Sequence, residues 1–342
     1  MQQVQKRLAE LLGAESSEAR VRDELGRPRA DAILEVGGLT FVVEWKSSGS
    51  AAPVSTAAEQ AQREASALSK NAIPLVAVPF MGPVGRQQCE AADVAWLDLS
   101  GNARIVAPGV RVIIGGEPSR FKSKGRPSSA FAPKAARITR WLLMHPQRAI
   151  SQREIARAVK MDEGYTSRIV TRLEKDDLIV RDEQEAIRPR DPDLLLDAWR
   201  ENYSFSKHKI LRGHVPARSG DGLLRQLAEG LREQAGNYAA TGLSAAWLLT
   251  RFSGFRLVTI YVREDPSPDL LARLHFREEA RGANTWLVTP KDEGVFHGVA
   301  DRDGVDCVHP VQAYLDLEDH PERAREAADH LRTKLLNWNK NG

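Results

Sequence analysis

Ser151-Gln152-Arg153-Glu154-Ile155-Ala156-Arg157-Ala158-Val159 and Asp162-Glu163-Gly164-Tyr165-Thr166-Ser167-Arg168-Ile169-Val170-Thr171-Arg172-Leu173-Glu174-Lys175 decide the reading of this chain. Ser151 and Glu154 stand three apart, the spacing at which a hydroxyl caps an orphan amide and a carboxylate reaches back to the cap. They predict a helix from Glu154 to Val159, with Ile155, Ala156 and Val159 on one face. Asp162 to Tyr165 then reads as a turn into a helix from Thr166 to Lys175, with Ile169, Val170 and Leu173 inward. Upstream, Ala135 to Leu143 spaces its apolar residues as a further helix that ends before Pro146. Downstream, Leu178-Ile179-Val180-Arg181 and Ala186-Ile187-Arg188 flank the polar Asp182-Glu183-Gln184-Glu185 and predict a short β-wing.

Helix, helix, recognition helix and wing between Pro133 and Pro189 match the winged helix-turn-helix, which lays its recognition helix in the major groove of double-stranded DNA. The expected contacts are Tyr165, Thr166, Ser167, Arg168, Arg172 and Lys175 on that helix and Arg188 on the wing. The alternative is a small helical module that binds protein. Charge favours DNA. Residues 116–218 hold 22 Lys and Arg against 14 Asp and Glu, while residues 1–115 hold 12 against 13 and residues 219–342 hold 15 against 19. A chain of net charge +3 has gathered its positive charge around one module, as a polyanion partner requires.

At 342 residues the chain has room for two or three domains. No apolar run reaches the length of a membrane span, and Met1-Gln2-Gln3-Val4-Gln5-Lys6-Arg7 lacks an apolar signal core, so the expectation is a cytoplasmic protein without membrane contact. Cys89 and Cys307 lie far apart in sequence and fit reduced core thiols. The eight histidines form no HExxH and no Cys/His cluster, which argues against a zinc site.

Residues 1–115 read as an α/β domain. Val4 to Leu12 is a predicted helix stopped by Gly13. Arg29 to Val36 and Leu39 to Lys46 are predicted strands about a Gly37-Gly38 hairpin turn. Side chains alternate along a strand, so Glu44 and Lys46 share a face that Trp45 does not, and the hairpin brings Asp31 beside them. Two carboxylates and a lysine at one sheet edge suit Mg²⁺-assisted phosphodiester hydrolysis: oxygen ligands fit Mg²⁺, the metal activates water, and the ammonium steadies developing charge. A helix Thr56–Leu68, a strand Ile73–Phe80, a helix Gly85–Ala92 and a strand Val94–Leu97 follow. Gly101-Asn102 then reads as a turn beside Asp98, whose expected part is turn capping.

These residues resemble the PD-(D/E)xK nuclease superfamily, a restriction-endonuclease-like fold. The resemblance makes Asp31 the first acid and Glu44-Trp45-Lys46 the ExK, with Asp31 and Glu44 as metal ligands. It also places Gln60 or Gln62 to point inward. Arg29-Ala30 stands where the family usually has a Pro-Asp lead-in. Three readings stay open: a working site, a fold kept only to hold DNA, and a solvated hairpin face.

Residues 116–132, rich in Ser, Pro, Gly, Lys and Arg, read as a basic flexible linker whose Lys122, Lys124 and Arg126 can follow a DNA backbone. Past the wing, residues 191–342 read as a C-terminal α/β domain. Its expected parts are a helix Leu194–Tyr203 capped by Asp191, a basic run Ser206–Gly213 and a helix Gly220–Gln234. Beyond these come a turn into a buried helix over Tyr238–Leu249, strands at Arg256–Val262, Asn284–Thr289 and Val305–Val308, and a helix Glu322–Trp338. Asp301-Arg302-Asp303-Gly304 reads as a hairpin turn rather than as the paired acids of nucleotidyl transfer.

The wing, Leu194-Leu195-Leu196-Asp197-Ala198-Trp199, Thr241-Gly242-Leu243-Ser244-Ala245-Ala246, Tyr314-Leu315-Asp316-Leu317 and Glu326-Ala327-Ala328-Asp329-His330-Leu331-Arg332 resemble the AbiEi transcriptional regulators, over about residues 133–340. These are the antitoxins of type IV toxin–antitoxin systems, tied to abortive phage infection. The resemblance implies repression through the winged helix and a nucleotidyltransferase-like toxin as partner; a homodimer on palindromic DNA is the common habit of the helix-turn-helix motif. The nuclease-like N-terminal domain departs from the short antitoxins. Two functions therefore compete: a DNA-binding regulator of a defence or mobile-element locus, and a Mg²⁺-dependent endonuclease targeted by its winged helix.

Overall fold

The computed structural model describes residues 1–14, 20–21, 30–121, 130–232, 238–252, 254–279, 281–318 and 320–338. The chain divides into two compact units, Met1–Pro127 and Ser128–Gly342. Lys122, Lys124 and Arg126 of the expected basic linker lie outside the described residues, as does Arg29.

The first unit is one mixed sheet between helices. Helix α1 (Gln2–Leu12) ends at Gly13 in the left-handed region. Strands β1 (Arg20–Val21), β2 (Ala32–Val36), β3 (Leu39–Trp45), β4 (Ile73–Val78), β5 (Ala95–Asp98), β6 (Ala103–Ala107) and β7 (Val110–Ile114) pair in sequence order as a seven-stranded sheet. Helices α2 (Ala51–Leu68) and α3 (Pro83–Ala91) supply the crossovers that let β3, β4 and β5 run parallel. Gly37 and Gly38 turn β2 into β3 with φ of 58° and 77°, the left-handed pair that a two-residue hairpin demands and glycine supplies without strain. The register that follows sets Ala32 against Val43 and so Asp31 next to Glu44.

Alternation then sorts the side chains. Val4 and Leu8 of α1 pack with Leu34, Phe41, Val43, Leu75 and Leu97 on one face, with Trp45 against them. Val54, Ala57 and Ala58 of α2 pack with Val76, Val78 and Met81 on the other. The carboxylate of Asp98 accepts the backbone N–H groups of Ser100, Gly101 and Asn102 at 2.8–3.0 Å, and so caps the turn into β6 as expected. Residues 117–120 of the expected linker are not a free tether: Asn102 and Glu117 exchange two hydrogen bonds, and the Arg120 N–H reaches Ser100.

The second unit opens with the winged helix: α4 (Ala136–Met144), α5 (Gln152–Ala158) and α6 (Glu163–Lys175), then β8 (Ile179–Arg181) and β9 (Ile187–Pro189). The capping box at Ser151 and Glu154 is formed. Helix α6 starts earlier than its sequence suggests, because the Asp162 side chain accepts the Tyr165 N–H and nucleates the first turn at Glu163. The wing gains a third partner through an antiparallel bridge between Ile150 and Ile187.

Beyond α7 (Pro192–Asn202), a second seven-stranded sheet forms from β10 (Lys209–His214), β11 (Tyr238–Thr241), β12 (Val258–Val262), β13 (Arg277–Glu278), β14 (Thr285–Thr289), β15 (Ala300–Arg302) and β16 (Val305–Cys307), in the order β13-β10-β14-β12-β11-β16-β15. The basic run at Ser206–Gly213 is therefore a sheet strand over most of its length, and Tyr238–Thr241 is a strand rather than a turn. Helices α8 (Gly220–Arg232), α9 (Gly242–Thr250), α10 (Pro268–Arg273), α11 (Pro310–Leu317) and α12 (Ala324–Leu335) complete the unit. Asp303 and Gly304 take φ of 56° and 80° between β15 and β16, which makes the expected hairpin. Cys89 and Cys307 are free, buried thiols, and burial pushes both pKa values up to about 12. Among the described residues no helix is long and apolar enough to cross a membrane.

Candidate nucleic-acid interface and candidate acidic site

Helix α6 buries Thr166, Ile169, Val170 and Leu173 and turns Arg168, Thr171, Arg172 and Lys175 to solvent, with Tyr165 and Ser167 half-buried at the margin. Thr166 is thus not a DNA contact. It stands three before Ile169 and four before Val170, which puts it on the inner face, and its hydroxyl donates to the Asp162 carbonyl at 2.9 Å. Thr171 takes its place on the outer face, where the same spacing would have found it.

Tyr165 organises the helix's first turn. The Arg168 guanidinium lies 5.6 Å from its ring centroid and the Lys134 ammonium 6.0 Å, so a cation–π cluster joins Lys134 to the expected contacts. Lys134, just outside α4, had no sequence signal beyond its charge. Arg172 donates to Asp176 at 2.8 Å. On the wing, Arg188 is exposed, while Arg181 pairs with Glu174 at 3.1 Å and Glu185 at 3.3 Å. The wing tip is acidic: Asp182, Glu183 and Glu185 are all exposed.

Part of the positive charge counted in this region faces inward. Arg137 forks onto Asp292 with two bonds of 2.7 Å. Arg140, 3 % exposed, donates to Gln312 and lies 5.0 Å from the centroid of the Trp199 ring. These arginines join the winged helix to the domain behind it, and the charge excess overstates the surface left for DNA.

The acidic site lies in the first unit, at the end of β3. Asp31 accepts the Trp45 N–H at 2.8 Å, and Lys46 Nζ donates to Glu44 Oε2 at 3.0 Å. Glu44 is 0 % exposed, and its Oε1 is enclosed without a hydrogen-bond partner. Burial raises the Glu44 pKa; Lys46 opposes this, and the neighbouring Asp31 charge adds to it. The residues named from sequence thus stand together, with Trp45 turned to the opposite face. An orphaned carboxylate oxygen beside a second carboxylate is a donor set that a hard divalent cation fits. Among the described residues no cluster of three or more His, Cys, Asp or Glu could hold a metal; Asp31 and Glu44 are the two carboxylates that this site would offer one. Gln62 is exposed and donates to the Ala92 carbonyl at 2.5 Å, away from this site.

No curated protein and no solved structure matches the chain at a significant level. Family models match two regions, neither of which reaches the acidic site. Residues 142–185 match the MarR family, and residues 188–337 match a family described as "Transcriptional regulator, AbiEi antitoxin, Type IV TA system". From residue 142 to residue 337, the chain is similar to a MarR-type DNA-binding winged helix joined to an AbiEi-type antitoxin domain.

Proposed function

We propose that this protein is a DNA-binding transcriptional regulator of the type IV antitoxin kind, acting in the cytoplasm on the promoter of a defence or mobile-element locus. The observation that carries the reading is the outer face of α6, where Tyr165, Ser167, Arg168, Arg172 and Lys175 line a helix whose opposite side is buried. The MarR and AbiEi similarities support it. A nucleotidyltransferase-like toxin is the partner this reading implies, with a homodimer on a palindromic operator. Mobility-shift titration of the protein on its own upstream DNA tests it. Binding that is specific over unrelated duplex at 150 mM salt is the expected result, and equal affinity for both sinks the operator assignment.

A second reading is a Mg²⁺-dependent endonuclease, and the enclosed, unpaired Glu44 Oε1 beside Asp31 and Lys46 favours it. Asp31 and Glu44 would hold the metal, which when bound would activate water and offset charge on the leaving oxygen. Lys46, at the mouth of the site, would place its ammonium against a phosphate oxygen. On this reading the first unit is a restriction-endonuclease-like domain at work, and the winged helix serves as its targeting module.

A further inference from the structure

The flank of α1 forms one wall of a second concavity in the first unit, away from Glu44. Gln3, Lys6, Arg7 and Glu10 repeat at helical spacing beside the buried Val4–Leu8 stripe, and so share one face. The opposite wall is the extended chain after β7, held in place by the Asn102–Glu117 pair and the Arg120–Ser100 bond. Together they enclose about 510 Å³ over a floor of Leu99 and Ile114. Arg7 ties α1 to the β5–β6 turn, donating to the Gly101 carbonyl at 2.9 Å and, within α1, to Glu10 at 3.2 Å, and its Nε is enclosed without a partner. Lys6 and Arg120, also in the lining, make no ion pair among the described residues. Phe121 is 48 % exposed and Ile114 38 %, so the lining offers water an aromatic face and an aliphatic one.

Two cations that make no ion pair among the described residues, an exposed aromatic ring, an aliphatic floor and the Gln3 carboxamide form a set whose parts suit different portions of one ligand; the carboxylates of Glu10, paired with Arg7, and of Glu117 also line it. Lys6 and Arg120 suit a phosphate, Phe121 a stacked planar base, and Gln3 the hydrogen-bonding edge of that base. The volume falls in the range of sites for a molecule of nucleotide size. We infer that this pocket binds a nucleoside phosphate, either free or as one unstacked residue of a single strand. A duplex does not fit, since its base faces are covered. The inference stands apart from the roles given to α6 and to Glu44, because no residue is shared.

Fluorescence anisotropy on the full chain tests it, with fluorescein-labelled dT6 as the strand probe and AMP, GMP and inorganic phosphate as competitors. The Lys6→Ala/Arg120→Ala protein should bind dT6 at least tenfold more weakly. Phe121→Ala should weaken it roughly fivefold or more, the low end of one base–aromatic stack, and Phe121→Trp should restore it. Lys6→Ala/Arg120→Ala should leave binding of the upstream duplex unchanged, which separates this pocket from the winged helix. Competition by AMP or GMP identifies the free nucleotide as the ligand, and binding of dT6 alone identifies the strand. The inference is overturned if neither binds, if Phe121→Ala changes nothing, or if inorganic phosphate competes as well as AMP.

Discussion

Arg137 and Asp292 meet through a fork, Nε to Oδ1 and Nη2 to Oδ2, across 155 positions of sequence. One turn further along α4, Arg140 donates to Gln312 from a site 3 % exposed. The winged helix is therefore fastened to the AbiEi-like domain through paired and buried charge rather than through a soft linker. Removing one member strands the other. Arg137→Ala, which leaves the Asp292 carboxylate unpaired, should cost about 3 kcal/mol in urea unfolding, and Arg140→Ala, whose partner Gln312 is neutral, about 1.5–3 kcal/mol. A cycle through Arg137→Ala and Asp292→Ala should give a coupling of about 1.5–3 kcal/mol. Additive effects in that cycle would mean the fork holds nothing together.

The same region sets an acid response. His208, His309 and His320 have their pKa values lowered to about 4, by burial in each case, with the Arg140 charge adding to it for the first two. The geometry agrees: His208 Nδ1 accepts the Lys291 N–H at 3.1 Å, and His309 Nδ1 accepts the Val311 N–H at 3.2 Å. Between about pH 6.5 and 4 the unfolded chain binds protons that these rings refuse, so stability falls as pH falls through that window. Asp316 works the other way. Burial raises its pKa to about 6, so its protonation in the same window favours the native state. In this unit burial also lowers the pKa of His297 and raises that of Asp193, so four histidines outweigh two carboxylates. The shifts of His208, His309, His320 and Asp316 are each worth roughly 3 kcal/mol at full effect, and Tm should drop steadily from pH 7 to pH 5. In Asp316→Asn its opposing contribution is gone and the drop should steepen; a Tm independent of pH would refute the assignment.

On α6, Arg168→Ala should cost about 1–3 kcal/mol of specific binding if the side chain reads a base. Tyr165→Ala should reproduce part of that loss, because the ring backs the guanidinium at 5.6 Å. Arg172 is held by Asp176 at 2.8 Å, so Asp176→Ala should free a cation, tighten binding and steepen its salt dependence. Glu183→Gln on the acidic wing tip should also tighten binding, by removing a like charge near phosphate. Weaker binding in either variant would show that these carboxylates position the helix rather than oppose DNA.

Much of this is legible in the sequence. The Gly37-Gly38 turn fixes a register, and the register places Asp31 next to Glu44. The spacing of Ser151 and Glu154 fixes where α5 begins. What stayed hidden has local physical causes. Strand β10 reads as a basic run because its Lys209, Arg212 and His214 lie outward; Arg212 sits 5.1 Å from the centroid of the Trp286 ring, while Gly213 is pressed beneath Phe276. Thr166 looks like a polar contact until the helical period is counted. Arg137 and Arg140 look like surface charge because their partners, Asp292 and Gln312, are more than a hundred positions away. Asp316 was visible only as part of a resemblance. Its carboxylate collects Thr241, Tyr203, Tyr261 and Gln312 from separate elements, a convergence no single stretch announces.

The two functional readings part at Glu44. Its carboxylate is buried and raised in pKa, so in the metal-free protein at pH 7 it costs stability. That cost should vanish as pH falls through its folded pKa. Glu44→Gln should therefore be as stable as the wild type or more so without metal. A divalent cation reverses the sign. With millimolar Mg²⁺ or Mn²⁺ the wild type should gain Tm, whereas Asp31→Ala and Glu44→Gln should not. Lys46→Ala should keep that gain, since the ammonium is not a ligand. Cleavage decides the rest. If the site works, duplex, single-stranded or branched DNA should be cut only with metal, not at all by Asp31→Ala or Glu44→Gln, and more slowly by Lys46→Ala. DNA affinity without metal should be unchanged or higher in the carboxylate variants, because removing a negative charge lowers repulsion from phosphate. A wild-type protein that gains Tm with Mg²⁺ and binds DNA, yet cuts none of these substrates, would leave the regulator as the function of the chain. Metal-dependent cutting abolished by Glu44→Gln would make the winged helix the targeting arm of a nuclease.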